Sequence, residues 1–221
     1  MLAGEAVVAI WNGIAEEARA DFYAWHDTEH MPERVGIPGF LRGRRYVAAD
    51  AETAPEFFTL YEVVSFPVLQ GQDYANRLND PTPWTRAVTA RFRDTARALA
   101  RVVASHGPGI GGMMLTLGFS ADTAALDPLR RLLAEAAAAP RVTGAHLCLT
   151  DAEASGVRTA ESAARTDITD PPGAVILLEA TDAEALAPLF QDAALLRSGA
   201  RAPLRRSLYR LEYVRAKTAF T

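Results

Sequence analysis

From its residues the chain reads as an α+β protein built of two tandem βαββαβ repeats. Strand-like apolar runs come in two sets, helical periodicity falls at matching places in each set, and a glycine-rich joint lies between them. Short apolar runs with β-branched and aromatic members pack as strands. Apolar residues three and four apart mark one face of a helix.

In the first half, strands are expected at Ala6–Trp11 (AVVAIW), Phe40–Val47 (FLRGRRYV) and Phe57–Val64 (FFTLYEVV), with helices at Ile14–His30 and Val68–Leu78. The fourth strand, about Phe92–Ala104, is assigned by topology. Val88, Phe92, Ala96, Leu99 and Val103 keep a helical spacing, while Arg91, Arg93, Thr95, Arg97 and Arg101 alternate as in a strand. The second half repeats the order, with strands at Met113–Phe119, Val142–Thr150, Ala174–Ala180 and Ser207–Val214 and helices at Leu126–Ala138 and Ala183–Leu196. Each half is thus a ferredoxin-like unit. The joint Ser105–Gly112 (SHGPGIGG) can neither extend a helix nor pack in a sheet, which divides the chain into repeats 1–106 and 107–221. A four-stranded antiparallel sheet with helices on one face leaves its other face bare, and a second copy covers it. The expectation is therefore a pseudo-dimeric α/β barrel of antiparallel sheets, with a ligand cavity between the sheet faces. Asp151–Pro172, rich in small and charged residues, is expected as a long loop holding one helical turn.

The 221 residues, 49% hydrophobic and 23% charged, suit a packed globular core. A formal net charge of -4 leaves no basic footprint for nucleic acid. The N-terminus MLAGEAVVAIWN lacks a cationic lead, and no stretch nears the roughly 18 apolar residues of a membrane span. The expected location is the cytoplasm. The single Cys148 excludes an internal disulfide and a CxxC site, and its apolar setting, AHLCLT, marks a buried thiol. Neither GxGxxG after a strand nor GxxxxGK[ST] occurs.

Chemistry concentrates in Asp21–Val47, DFYAWHDTEHMPERVGIPGFLRGRRYV. On a helix, Phe22, His26, Glu29 and His30 share or flank one face, and the two histidines can meet. Pro32 should end that helix near Met31. His26, Glu29 and His30 spell HxxEH, the letters of a zinc site, but such a site needs a third protein ligand and no matching helix supplies one. Acid/base chemistry without metal instead needs a histidine at the mouth of an apolar pocket, steered by a carboxylate. Glu29 or Glu33 could orient either imidazole, and Arg34, Arg42 or Tyr46 could donate to a developing oxyanion. A bland reading stays open, in which these groups form a solvated helix end and His30 meets the negative end of the helix dipole.

The pattern DFYAWHDTEHMPE ahead of GFLRGRRYV, with Trp25, His30 and Pro32 in order before an RRY strand, resembles the EthD-like group of dimeric α/β-barrel proteins. The resemblance covers Asp21–Val47 in residues and the rest of the first half in topology. It implies that Phe22, Trp25 and His30 frame a cavity mouth, with His30 the functional polar group. It also implies decarboxylase or dehydratase chemistry on aromatic polyketides without a common cofactor. The second half has no Trp-His-Pro counterpart, its first helix reading LDPLRRLLAEAAAA, so one site per chain is expected.

The expected function is that of a cofactor-independent lyase, isomerase or cyclase acting on an apolar or aromatic small molecule. His30 is the expected general base or acid, His26 a second proton-transfer group, Glu29 the orienting carboxylate, and Arg42 or Arg34 the stabiliser of negative charge. Phe22, Trp25 and Tyr46 would form walls, and Tyr61, on one face of the strand FTLYEV, is a candidate donor. The alternative is a non-catalytic or stress-response protein that holds a hydrophobic small molecule. No cofactor, nucleic acid or membrane partner is expected, and a homodimer through sheet edges or outer helices is compatible with the fused pair. A haem ligand would have to be His146, which reads better as a satisfied core imidazole. Tyr74–Arg86 (YANRLNDPTPWTR) is expected to end a helix and then run as a rigid loop that seals the barrel end.

Overall fold

The computed structural model describes residues 1–122, 126–163, 165 and 167–218. Ala164 and Thr166 of the expected Asp151–Pro172 loop, Thr123–Ala125 and the last three residues of repeat 107–221 lie outside the described residues. The first half supplies strands β1 (Ala6–Ile14), β2 (Phe40–Ala48), β3 (Phe57–Val63) and β4 (Phe92–His106). The second half supplies β5 (Met113–Ala121), β6 (Val142–Thr150), β7 (Ala174–Ala180) and β8 (Ala200–Ala216). Each foursome has ferredoxin-like order, β4-β1-β3-β2 and β8-β5-β7-β6, and the two join edge to edge, β2 to β8 and β4 to β6. The result is one closed antiparallel barrel, a pseudo-dimeric α/β barrel without free sheet edges.

Strand alternation sorts the apolar residues into an inner and an outer set. Trp11, Tyr46, Phe58, Leu60, Met114, Leu177 and Tyr209 pack inside the barrel, drawn from both halves. Val8, Phe40, Tyr61 and Val63 face outward beneath the helices of the first half, as Leu115, Leu117 and Phe119 do in the second. Because both faces are covered, every residue of β3 is buried.

One end of the lumen is polar. Glu62 and Glu179 are each the penultimate residue of their strand, β3 and β7, so the repeat brings them to matching places. Arg44 bridges them, its Nε 2.9 Å from Glu62 Oε1 and its Nη1 2.7 Å from Glu179 Oε2. Arg42 Nη2 donates to Glu62 Oε2 at 2.6 Å, so two guanidiniums balance two carboxylates. His146 sits here as a satisfied core imidazole: burial depresses its pKa in spite of Glu179, and the neutral ring accepts from Ser105 Oγ (2.9 Å) and donates Nε2–H to Glu179 (3.3 Å). Burial alone would raise the Glu179 pKa, but the His146 hydrogen bond and Arg44 bring it down to about 2. Cys148 is buried, and burial pushes its thiol up to about 12, the inert range.

The helical layer departs from the sequence reading in several places, one being Val68–Leu78, which is a 3-10 turn (Phe66–Gln70) followed after Gly71 by a separate helix. The helix before β2 does not stop at Pro32; it runs as α1 (Arg19–Trp25), a π-turn (His26–His30) and α2 (Met31–Gly36). The wider turn absorbs the missing proline N–H: Met31 N–H reaches the His26 carbonyl, and the Tyr213 hydroxyl donates to the Asp27 carbonyl at 3.4 Å. Downstream of α3 (Gln72–Asn79), the expected rigid loop contains α4 (Pro83–Thr89), capped by Thr82, whose Oγ1 accepts the Thr85 N–H at 2.9 Å. After α5 (Leu126–Ala137) and β6, the expected loop holds two helical turns, α6 (Ala152–Gly156) and α7 (Ala160–Ala163). The expected helix Ala183–Leu196 is split into α8 (Ala183–Leu186) and α9 (Asp192–Arg197). No described helix is long and apolar enough to cross a membrane.

Candidate functional site

The chemistry-bearing residues meet outside the barrel, in a closed cleft between the first-half sheet and its helices. Val8 and Ile10 of β1, Phe40 of β2, and Tyr74 and Leu78 of α3 form its apolar wall. His30, Arg34, Tyr61, Arg97, Glu161 and Arg165 supply its polar lining. Close approach of α2 to the sheet depends on Gly43, opposite Tyr61 in the β2–β3 ladder: a Cβ there would lie 2.1 Å from Met31 Sδ and 2.9 Å from the Tyr61 ring. That approach sets His30, the residue before Met31, 6.4 Å from Tyr61 between ring centroids.

His30 is held from behind. The Trp25 ring packs on it at 4.2 Å, and Trp25 Nε1 donates to Thr85 Oγ1 at 3.1 Å. Burial, and then the charge of Arg34, hold the His30 pKa well below its ordinary value, so the imidazole is neutral. Its Nδ1 has no hydrogen-bond partner. The Tyr61 hydroxyl, Arg34 Nη1 and Arg165 Nε are likewise buried and unpartnered. Burial keeps the Tyr61 phenol protonated, as a donor. Burial opposes the charge on Arg34, and Glu161 more than restores it; for Arg165 burial prevails and its pKa is lowered. The space open to the centre of a water molecule is about 10 Å³, room for one water.

Two of these groups come from far along the chain. Glu161 of α7 pairs with Arg34 Nη2 and, at 2.8 Å, with Arg165 Nη2. The second-half segment thus closes a first-half site, docked by the Thr95–Ile168 bridge and by Ala160 N–H on Asn79 Oδ1 (3.1 Å). The only sequence signal for these residues is the acid–arginine pair Glu161 and Arg165, four apart in a stretch read as loop. Arg97 carried no signal beyond its strand alternation.

Of the residues singled out in the sequence, the structure brings His30, Arg34 and Tyr61 into the cleft; His26 meets His30 as expected, with ring centroids 5.5 Å apart, and the others do not line the cleft. His26 is neutral through burial and Arg45, but its Nδ1 is 3.3 Å from Arg45 Nη1 and its ring does not line the cleft, so it is no second proton carrier there. Glu29 orients neither histidine: its carboxylate accepts from Thr82 (2.6 Å) and Thr85 (3.2 Å), which also breaks the HxxEH set. Glu33 faces Arg77 at 3.2 Å. Phe22 and Trp25 form an aromatic layer with Phe57 and Phe92 behind the histidines and are not walls of the cleft. Arg42 and Tyr46 point into the barrel, on the other side of the sheet from His30, because they alternate with Gly43 and Arg45 along β2.

Side chains fill the space between the sheet faces where a cavity was expected, and His30 does not face it. A cavity of about 500 Å³ at a barrel mouth is lined by Trp11, Ala96, Thr116, Arg206 and Ser207 among others, and holds no histidine. Size favours the mouth and chemistry favours the cleft. Among the described residues, four of the nine buried side-chain polar atoms without a partner belong to the cleft lining and none to the lining of the mouth, and each costs free energy until a ligand or water satisfies it.

No protein-family model and no curated protein matches the chain. Its architecture is shared with solved structures. An anthrone oxidase-like protein superposes with a TM-score of 0.61 at 12% identity, covering 96% of this chain and 92% of that one. A candidate monooxygenase of Fusobacterium nucleatum gives 0.59 at 7%, covering 98% and 96%. A candidate chlorite dismutase gives 0.55 at 10%, covering 95% and 96%. At these identities the likeness is one of fold, and the fold is the dimeric α/β barrel of ferredoxin-like units.

Proposed function

We propose that the His30 cleft, which has room for one water when closed and admits a ring compound when the α7 segment moves aside, is a small-molecule site in which His30 is the general base of a proton-transfer reaction on an apolar or aromatic substrate. The carrying observation is a neutral, buried imidazole with a free Nδ1 that shares its cleft with two donors, Tyr61 and Arg34. A neutral imidazole accepts a proton from carbon, and the electron pair left behind moves onto a carbonyl oxygen. Arg34 and Tyr61, which share the lining with His30, would stabilise that oxygen away from bulk water. Lyase, isomerase and cyclase reactions can all begin at such an enolate. The name of one fold neighbour, an anthrone oxidase-like protein, suggests an aromatic ketone as the first compound to try.

Anthrone serves as that probe. Incubated in D2O, it should exchange its acidic ring hydrogen faster with the protein than in buffer, and His30→Gln should remove at least ~10²-fold of the enhancement. Deuterium uptake equal to the buffer rate for bound anthrone and related aromatic ketones would favour the carrier reading. An enhancement unchanged in His30→Gln would take His30 out of the mechanism.

A further inference from the structure

Resting on the reading of the His30 cleft as a small-molecule site, we propose that its ligand is acidic: an aromatic body bearing an anionic oxygen, which takes the seat that Glu161 now fills. The lining carries three guanidiniums, Arg34, Arg97 and Arg165, against the single carboxylate of Glu161. His30 is neutral and adds no charge. Glu33 stands 3.9 Å from Arg34 Nη1, beyond hydrogen-bond reach, and is shared with Arg77. The faces contributed by β1, β2, β3 and α3 add no acid to the lining.

Geometry agrees with the charge. Glu161 engages only Nη2 of each arginine, which leaves Arg34 Nη1, Arg165 Nε and the Tyr61 hydroxyl without partners on side chains 4%, 8% and 1% exposed. While Glu161 holds only the two Nη2 atoms these three donors stay unpaired, so an anionic oxygen seated deeper than the Glu161 carboxylate can reach groups that Glu161 leaves. A neutral ligand would leave them wanting, whereas a carboxylate or phenolate oxygen satisfies them and cancels charge. Glu161 arrives on α7, a four-residue helix, so displacing that segment both opens the cleft and frees two guanidiniums for a ligand. The Val8, Ile10, Phe40 and Leu78 wall then meets the ring.

The test compares 2-naphthoate with its neutral counterpart 2-naphthamide by calorimetric titration of the whole chain. Naphthoate should bind at least tenfold tighter than naphthamide. Glu161→Gln should widen the gap by a further tenfold, and Arg34→Gln should close it. In a second arm, 4-nitrophenol should ionise more readily when bound, read from its visible absorbance, as a phenolate in the same seat requires. Equal affinities in the wild-type protein, a preference that survives Arg34→Gln, or no binding of either ring compound would overturn the proposal. If Glu161→Gln does not fold, the wild-type ratio and the nitrophenol shift still decide. The naphthoate-to-naphthamide ratio and the anthrone exchange rate are read separately on the wild-type protein, so an acidic seat without base chemistry, and base chemistry without an acidic seat, are told apart.

Discussion

Tyr61 and His30 face each other inside the protein with polar atoms that no other group satisfies, an arrangement that stability alone does not favour. Tyr61→Phe removes a buried hydroxyl without a partner, so the variant should unfold at equal or higher urea, by up to about 1 kcal/mol, while anthrone exchange falls. A loss of both stability and exchange would mean that the hydroxyl has a structural partner. With His30 as the proposed base, its depressed pKa would set the pH dependence of the rate. The base form is present throughout the neutral range, so exchange should be flat from about pH 6.5 upward and fall only well below it, as the imidazole finally protonates. A rate limb centred at pH 6.5 or above would contradict this. His30, Arg34 and Tyr61 were legible because a dense run of titratable and aromatic residues is visible in any linear reading. Glu161 was not, since its partner Arg34 is 127 positions away and contacts at that range leave no periodic trace.

Elements carry a second kind of information, the stereochemistry of their ends. Thr82 followed by Pro83 is an N-cap and first-turn pair that reads as a helix start once noticed, and it replaces the expected loop by α4. Thr82 also donates to Glu29, so Thr82→Ala should cost about 1–2 kcal/mol by chemical unfolding, with Thr82→Ser close to neutral. Equal losses in both would argue against the hydroxyl as the cause. The π-turn at His26–His30 is different, because Pro32 signals only that one hydrogen bond is missing. Whether the helix ends or widens is settled by what can cap the freed carbonyl, and the Tyr213 hydroxyl of β8 is in reach. Phe22, His26 and His30 stay in ring contact along the widened turn, but their polar partners differ: His26 turns to Arg45, Glu29 to α4, and only His30 to the cleft.

At the scale of the whole molecule, closure of the barrel buries Arg44, Glu62 and Glu179 together. Arg44→Met leaves two carboxylates short of a cation and should cost roughly 3–5 kcal/mol, with part recovered in Arg44→Met combined with Glu179→Gln. Acid should unfold the chain in two stages. His26 and His30 have folded pKa values below the unfolded value of 6.5, so their contribution is intact above that pH and declines below it, as the unfolded chain takes up protons the folded one refuses. Glu179, lowered from 4.5 to about 2, contributes above pH 4.5 and loses that contribution as pH falls toward 2. Melting temperature followed against pH should show both limbs, with His30→Gln flattening the first and Glu179→Gln the second; no change below pH 6.5 would contradict both shifts.

By itself the sequence determined the number and kind of the strands, the doubled βαββαβ order and the stretch that holds His30. Those follow from alternation and helical spacing, which are local properties of a chain. Only the tertiary structure decided which side of β2 and β3 faces the helices, that Arg42 and Tyr46 serve the barrel interior, and that a turn from the second half closes a cleft in the first. A period of two gives a strand two faces without saying which is inner, and which distant segment covers the outer one is settled by packing and charge pairing once the barrel has closed.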